Sequence, residues 1–321
     1  MVPGDSPRQT LSFLRERFAA AGIRPNTDLG QNFLIDLNLL RVLVERADLS
    51  PQDVVLEIGS GSGSLTSMLA ERAAYVISVE IDPRLHALAQ QLVGQKANVC
   101  LLCQDALKSK NRLHPQILES LKQALEAAPG RRFKLVANLP YNVATPVITN
   151  LLALDVPPVS MTATVQREVA ERIVARPGSK DYGSLSVWVQ SQCRVSIERV
   201  IPPQAFWPRP KVFSAIIHLE IDMKRRSQIS DLDFFHACVR GLFLHRRKFL
   251  RTQILSVLGR GVSKEEVDGL LRELGVDPQS RAEQLSVEQL INLAGAIRDR
   301  FPKPLMSMRG RNGHMTEGDP L

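Results

Sequence analysis

Short apolar runs alternate with amphipathic stretches through the first two thirds of the chain. Val54-Val55-Leu56-Glu57-Ile58, bounded by Pro51 and Gly59, reads as a buried parallel strand. Residues 74–79, 99–102 and 133–137 read the same way, and further strands are predicted at 159–165, 187–195 and 214–219. Between them the pattern predicts helices at 65–72, from Pro83 to Val93, and at 167–175, with an earlier one carrying Leu39, Leu40, Leu43 and Val44. A short amphipathic helix is expected at 9–21, ended by Gly22 and Pro25. Alternating strands and helices imply an α/β domain with a parallel sheet. Residues 107–132 break the rhythm and read as an insertion holding one surface helix, 117–127, closed by Pro129-Gly130. Beyond 222 only helical patterns remain, at 233–244 and 248–258, followed by two whose starts are marked by capping boxes, Ser263 to Glu266 and Ser286 to Gln289. The expected organisation is an N-terminal helical extension (1–27), an α/β domain (28–222), a small all-helical domain (223–301) and a disordered tail (302–321).

Composition narrows the class. The chain has 321 residues, 44% of them hydrophobic, which suffices for a core without disulfides or metals. No run approaches the ~20 apolar residues of a membrane span, and the charged N-terminus does not read as a signal peptide. A cytoplasmic protein with no membrane and no metal partner is expected, and a monomer. Lys and Arg number 41 against 33 acids, a net charge of +8 that suits a polyanion such as nucleic acid. Cys100 and Cys103 form a C-x-x-C, but no second pair or histidine cluster completes a zinc set, so both read as buried strand thiols.

Two turns carry the candidate chemistry. Glu57-Ile58-Gly59-Ser60-Gly61-Ser62-Gly63 follows a buried strand and opens a helix, so its backbone can approach a ligand closely. Glu80 ends the next strand, where a carboxylate can accept both ribose hydroxyls of an adenosine-containing ligand. A dinucleotide fingerprint would have glycine at the sixth position, where Ser64 stands. Glu57 brings negative charge to the turn, which disfavours a pyrophosphate and suits the cationic amino-acid end of S-adenosylmethionine. Asp105, after the third strand, fits an acceptor for the adenine amino group of that cofactor.

The second turn is Asn138-Leu139-Pro140-Tyr141, at the end of the strand 133–137. An adenine N6 is a poor nucleophile because its lone pair delocalises into the ring. Two acceptors on its hydrogens favour a pyramidal geometry: the Asn138 side-chain oxygen and a main-chain carbonyl at Leu139 or Pro140. Tyr141 can stack on the base, worth ~1–3 kcal/mol, which offsets the cost of flipping it out.

These motifs resemble the small-subunit ribosomal RNA adenine N6,N6-dimethyltransferases (the KsgA/RsmA family). The resemblance runs over about residues 28–255, through Gln31-Asn32-Phe33-Leu34, Glu57-Ile58-Gly59, Val79-Glu80-Ile81-Asp82 and Asn138-Leu139-Pro140-Tyr141-Asn142. It continues in Gln166-Arg167-Glu168-Val169-Ala170, Tyr182-Gly183-x-Leu185-Ser186-Val187, Phe206-x-Pro208-x-Pro210-Lys211-Val212 and Arg246-Arg247-Lys248. It implies a Rossmann-like S-adenosylmethionine methyltransferase sheet with a C-terminal helical domain. It implies dimethylation of two adjacent adenosines in a hairpin near the 3′ end of small-subunit rRNA during ribosome biogenesis. It also implies cofactor contacts at Asn32, Leu34, Gly59, Gly61, Glu80, Ile81, Asp105, Ala106 and Asn138. Serine stands at 60 where the family usually has proline, and Phe213 where it usually has aspartate, which removes a local hydrogen bond. The insertion 107–132 is a third departure.

Arg209 and Lys211 flank Pro210 in an exposed-looking loop, and Arg246, Arg247 and Lys248 stand in a basic cluster with Arg240 and Arg251. Phosphate contacts are expected at Arg209, Lys211, Arg246, Arg247 and Lys248. Three other readings compete: an Erm-like enzyme of large-subunit rRNA, a non-enzymatic RNA-binding or transcription factor on the same fold, and an NAD-dependent oxidoreductase. Asn138-Leu139-Pro140-Tyr141 argues against the second, since a pure binder has no use for the acceptor pair. The glycine turn argues against the third.

Overall fold

The computed structural model describes residues 11–26, 30–302 and 305. The tail expected at 302–321 and Leu29 thus fall almost wholly outside the described residues. The chain begins α1 (Leu11–Ala20), β1 (Phe33–Leu34), α2 (Leu37–Arg46), β2 (Asp53–Ile58), α3 (Ser64–Ala70), β3 (Tyr75–Glu80), α4 (Pro83–Val93) and β4 (Val99–Cys103). It continues with the hairpin β5 (Leu107–Ser109) and β6 (Arg112–Leu113), then α5 (Pro115–Glu126), β7 (Arg132–Asn138), α6 (Ala144–Leu152), β8 (Ser160–Gln166) and α7 (Arg167–Val174). Then come α8 (Ser184–Gln190), β9 (Cys193–Ile201), β10 (Phe206–Trp207), β11 (Ser214–Ile221) and α9 (Met223–Arg226). The chain closes with α10 (Leu232–Leu242), α11 (Leu250–Leu258), α12 (Lys264–Glu273) and α13 (Val287–Arg300).

It packs as two compact units. The first runs to Ala170 and resumes over Arg194–Ile221; the second joins Glu171–Cys193 to the chain from Asp222 onward. The first is built on a seven-stranded sheet in the order β4-β3-β2-β7-β8-β11-β9, parallel from β4 to β8, with β11 antiparallel to β8. Strand β2 is buried along its whole length, which is why its sequence reads as an apolar run. Beyond β2 the strand order reverses, so β2 and β7 flank the switch point of the sheet, where open α/β folds leave a crevice at the carboxyl edge.

Three expectations need correction. Helix α5 is no surface insertion: it is the crossover by which the chain returns from β4 to β7. Ile117, Leu121 and Ala124 are buried, and the helix packs on β2, β3 and β7. The strand expected at 187–195 is helix α8 followed by β9. A short apolar run does not distinguish a buried strand from a buried helix; here Ser186 Oγ accepts the Gly183 N–H (3.0 Å) and starts the helix. Cys100 is half-buried and Cys103 exposed, because β4 is the edge strand.

Helix α1, expected as an extension, is docked: Leu14 and Phe18 are buried with Leu85 and Leu88 of α4. The Phe18 ring stands edge-on to Phe33 at 4.9 Å and to Trp207 at 5.4 Å, which fixes the aromatic end of β1 and β10.

In the second unit α8 packs on α10 and α13, with Trp188 stacked on Phe235 and His236. Tyr182 is buried, its hydroxyl donating to the Leu285 carbonyl (3.1 Å). These contacts explain why Glu171–Cys193, expected with the α/β domain, belongs with the helices. Both expected capping boxes are formed, at the starts of α12 and α13.

Candidate active site

The cleft at the switch point is lined by Gly30, Asn32 and Phe33, by Gly59 and Gly61, by Glu80 and Ile81, by Gln104, Asp105 and Ala106, and by Asn138 and Pro140. The last four groups stand at the carboxyl ends of β2, β3, β4 and β7, and the first lies at the start of β1. Gly59 and Gly61 have φ +86° and +52°, left-handed values that strain a side-chain-bearing residue. A Cβ at Gly61 would lie 3.1 Å from the Phe33 ring, and one at Gly59 3.3 Å from Pro140. The turn is thus built to keep its backbone bare and close to the opposite wall.

Glu80 is held by main chain at both oxygens: Gly61 N–H donates to Oε2 (2.9 Å) and Asp82 N–H to Oε1 (3.0 Å). Burial pushes its pKa up, and the two amides pull it back. The second lone pair of each oxygen stays available to ligand hydroxyls. Ile81, 44% exposed beside it, offers an apolar plate. Asp105 is exposed, with one oxygen accepting the Leu107 N–H (2.8 Å). Gln104, beside it, lines the cleft and carries a buried Nε2 with no partner among the described residues. Sequence reasoning missed it because glutamine before a strand-end acid has no distinctive pattern.

Glu57 lies deeper. Thr66 and Ser78 hydroxyls donate to Oε2 at 2.5 and 2.6 Å, while Oε1 has no partner among the described residues. Burial pushes its pKa up to about 7, opposed by those two hydroxyls. Glu57 lines a smaller recess that includes Leu34 and Ser60 and shares Phe33, Gly59, Gly61 and Asn138 with the cleft. Leu34 is therefore placed at the recess rather than in the cleft itself. Ser60 keeps the turn intact, but its buried Oγ has no partner among the described residues.

Across the crevice, Asn138 Nδ2 donates to the Asn32 carbonyl (2.9 Å). A carbonyl only accepts, so this bond fixes the amide: the nitrogen faces Asn32 and Oδ1 is left as an acceptor. The Pro140 carbonyl already takes the N–H groups of Val143 and Ala144, both at 3.1 Å, as the chain turns into α6. The Leu139 carbonyl is then the main-chain acceptor of the turn with capacity to spare. Tyr141 is half-buried and its hydroxyl is bonded to Ser214 Oγ (2.5 Å), which pins the ring at the carboxyl end of β8, where β11 begins.

The profile of the ribosomal RNA adenine dimethylases matches residues 22–299. The chain belongs to that family. Its members catalyse S-adenosylmethionine-dependent methyl transfer to adenine in rRNA. The chain is similar to the ribosomal RNA small subunit methyltransferase A of Pediococcus pentosaceus, 39% identical over 277 residues, 86% of this chain and 91% of that protein. It is likewise similar to the ribosomal RNA small subunit methyltransferase A of Moorella thermoacetica, 38% identical over 294 residues, 91% of this chain and 98% of that protein. The crystal structure of a dimethyladenosine transferase from Plasmodium falciparum shares the fold, with a TM-score of 0.68 at 23% identity over 83% of this chain and 97% of that one.

The five cations expected at RNA do not sit alike. Arg209 and Lys211 are exposed in the loop between β10 and β11, and Arg247 and Lys248 are exposed between α10 and α11. Arg246 is committed within the second unit: Nε to Glu283 (3.0 Å), Nη1 to the Lys180 carbonyl (2.8 Å) and Nη2 to the Tyr182 carbonyl (2.9 Å). It ties loops together. Arg251 likewise pairs with Asp268. No helix among the described residues is long and apolar enough to cross a membrane, and no group of three or more His, Cys, Asp or Glu could hold a metal ion.

Proposed function

We propose that the protein, working as a monomer, dimethylates N6 of two adjacent adenosines in a 3′-terminal hairpin of small-subunit rRNA during ribosome assembly. The observation that carries this reading is the Asn138 amide, locked by Asn32 with its oxygen presented at the switch point. Cofactor fit rests on the bare glycine backbone, on Glu80 for ribose hydroxyls, and on Asp105 with the unpartnered Gln104 donor for an adenine ring lying against Ile81 and Ala106. When bound, S-adenosylmethionine supplies a methyl group already activated on a sulfonium.

The protein's contribution is alignment. Asn138 Oδ1 and the Leu139 carbonyl accept the two N6 hydrogens and localise the nitrogen lone pair toward the donor. Tyr141 stacks on the everted base, and Pro140 stiffens the turn. No strong base is required, because the nitrogen becomes acidic once methylated and releases its proton to water. Arg209, Lys211, Arg247 and Lys248 take phosphates. Small-subunit rRNA is favoured over large-subunit rRNA by the relatives matched over most of both chains. The test is radiolabelled methyl transfer to undermethylated small subunits, large subunits and free rRNA. Label confined to N6-dimethyladenosine of the small subunit is expected; transfer to large subunits instead contradicts the reading.

A further inference from the structure

Among the exposed apolar side chains of the first unit, two stand side by side: Val212 at 45% and Phe213 at 47% exposure. Single exposed apolar residues are ordinary on protein surfaces and need no explanation. This pair differs in its place and in its neighbours. Ser214 is fully buried, opens β11 and pairs in register with Gln166 at the carboxyl end of β8. Strand β8 in turn pairs with β7, Asn138 facing Thr164. Phe213 therefore stands at the same sheet edge as Asn138, two strands over. At about 4.8 Å per strand, and with Phe213 three residues beyond Ile216, the residue level with Asn138, that is a displacement of roughly 14 Å.

Its position is firmly held. The Phe213 carbonyl accepts the Arg167 N–H (2.9 Å), and the next residue, Ser214, is bonded to the Tyr141 hydroxyl. The residue assigned to stack on the target base and this exposed ring are thus joined through a single side-chain bond. On the other side, Arg209 and Lys211 lie in the same loop, both exposed and neither in an ion pair among the described residues. An aromatic face with an apolar neighbour and two unpaired cations is the combination that single-stranded nucleic acid recognises: the ring takes a base, the cations take phosphates.

We propose that Phe213 is a stacking platform for the nucleobase adjacent to the one being methylated, with Arg209 and Lys211 on the flanking phosphates. Adjacent nucleotides span from the Asn138 turn to this ring when their bases are unstacked and splayed apart. The platform would hold the second adenosine in waiting while the first is modified, and hold the finished one while the second is modified. The inference rests on the reading that the Asn138 turn takes an everted adenine of RNA, and it adds Phe213 as a positioning residue that touches RNA but none of the reacting atoms.

The experiment places 2-aminopurine in a synthetic rRNA hairpin, at the position next to the target adenosine, and follows its fluorescence on binding to the full-length protein. Stacking quenches this base. Quenching is expected with the wild type and with Phe213→Trp, and its loss with Phe213→Ala and Phe213→Leu. In methyl transfer, Phe213→Ala is expected to raise KM for RNA about tenfold, the range of one lost base stack, with cofactor affinity and kcat for the first methylation within about twofold. Quenching that survives Phe213→Ala, or that Phe213→Leu retains as well as Phe213→Trp, overturns the platform. A wild type that quenches the probe yet methylates no adenine would sink the proposed reaction while leaving the platform standing.

Discussion

The two turns at the crevice solve different problems. The glycine turn after β2 works through main chain: its amides and its lack of side chains make the seat, and Glu80 is itself held by Gly61 and Asp82 N–H groups. The turn after β7 works through one side chain, Asn138, whose orientation depends on a single bond to Asn32. Binding is spread over many groups, whereas alignment is concentrated in one. Damage to the first turn should therefore appear as lost affinity, and damage to the second as lost rate.

The largest effect is expected from Asn138→Ala. Removing one preorganised group at a reacting centre typically costs 10²–10³-fold in rate, read in methyl transfer at saturating RNA and cofactor. Gly61→Val sharpens the other side. A β-branched residue at φ +52° against the Phe33 ring incurs strain of about 1–3 kcal/mol. Cofactor affinity should fall roughly 10- to 100-fold by calorimetry, while kcat at saturation changes little. Tyr141→Ala should raise KM for RNA about tenfold through lost stacking, leaving cofactor binding intact.

Glu57 makes the smaller, pH-dependent test. Its carboxyl ionises near pH 7, and a cationic ligand group favours the ionised form. Cofactor affinity should rise severalfold as pH goes from 6 to 8, and Glu57→Gln should flatten the profile. A wild-type profile already flat over that range separates the recess from the cofactor.

The positive charges offer the smallest contrast. Arg247→Glu with Lys248→Glu should weaken RNA binding and reduce its salt slope by about two with no change in melting temperature. Arg246→Ala should do the reverse, because its three bonds hold Lys180, Tyr182 and Glu283 together.

What the sequence reveals follows the same division. Fully buried strands such as β2 announce themselves as apolar runs, and the glycine turn, Glu80 and Asn138 are legible because residue type and place at a strand end suffice. Relations between distant residues are not. Nothing in Arg246-Arg247-Lys248 says that the first arginine is a strut and the next two are free. The Asn138 amide is oriented by a carbonyl 106 positions away, which no local pattern contains. Helix α8 reads as a strand because burial on all sides erases its periodicity, and α5 reads as an insertion because its role as a crossover depends on the strand order. Helix α6 hides for a similar reason: Val147, Ile148, Leu151 and Leu152 are buried, and Pro146 suggests a break. In the first turn of a helix, however, the missing N–H of proline costs nothing.

The division of labour is tested most directly by the cofactor dissociation constant of Asn138→Ala, measured by calorimetry beside its single-turnover rate. A rate lowered at least a hundredfold with affinity kept within about tenfold is the expected result. Rate and affinity falling in step, or neither falling, would contradict it.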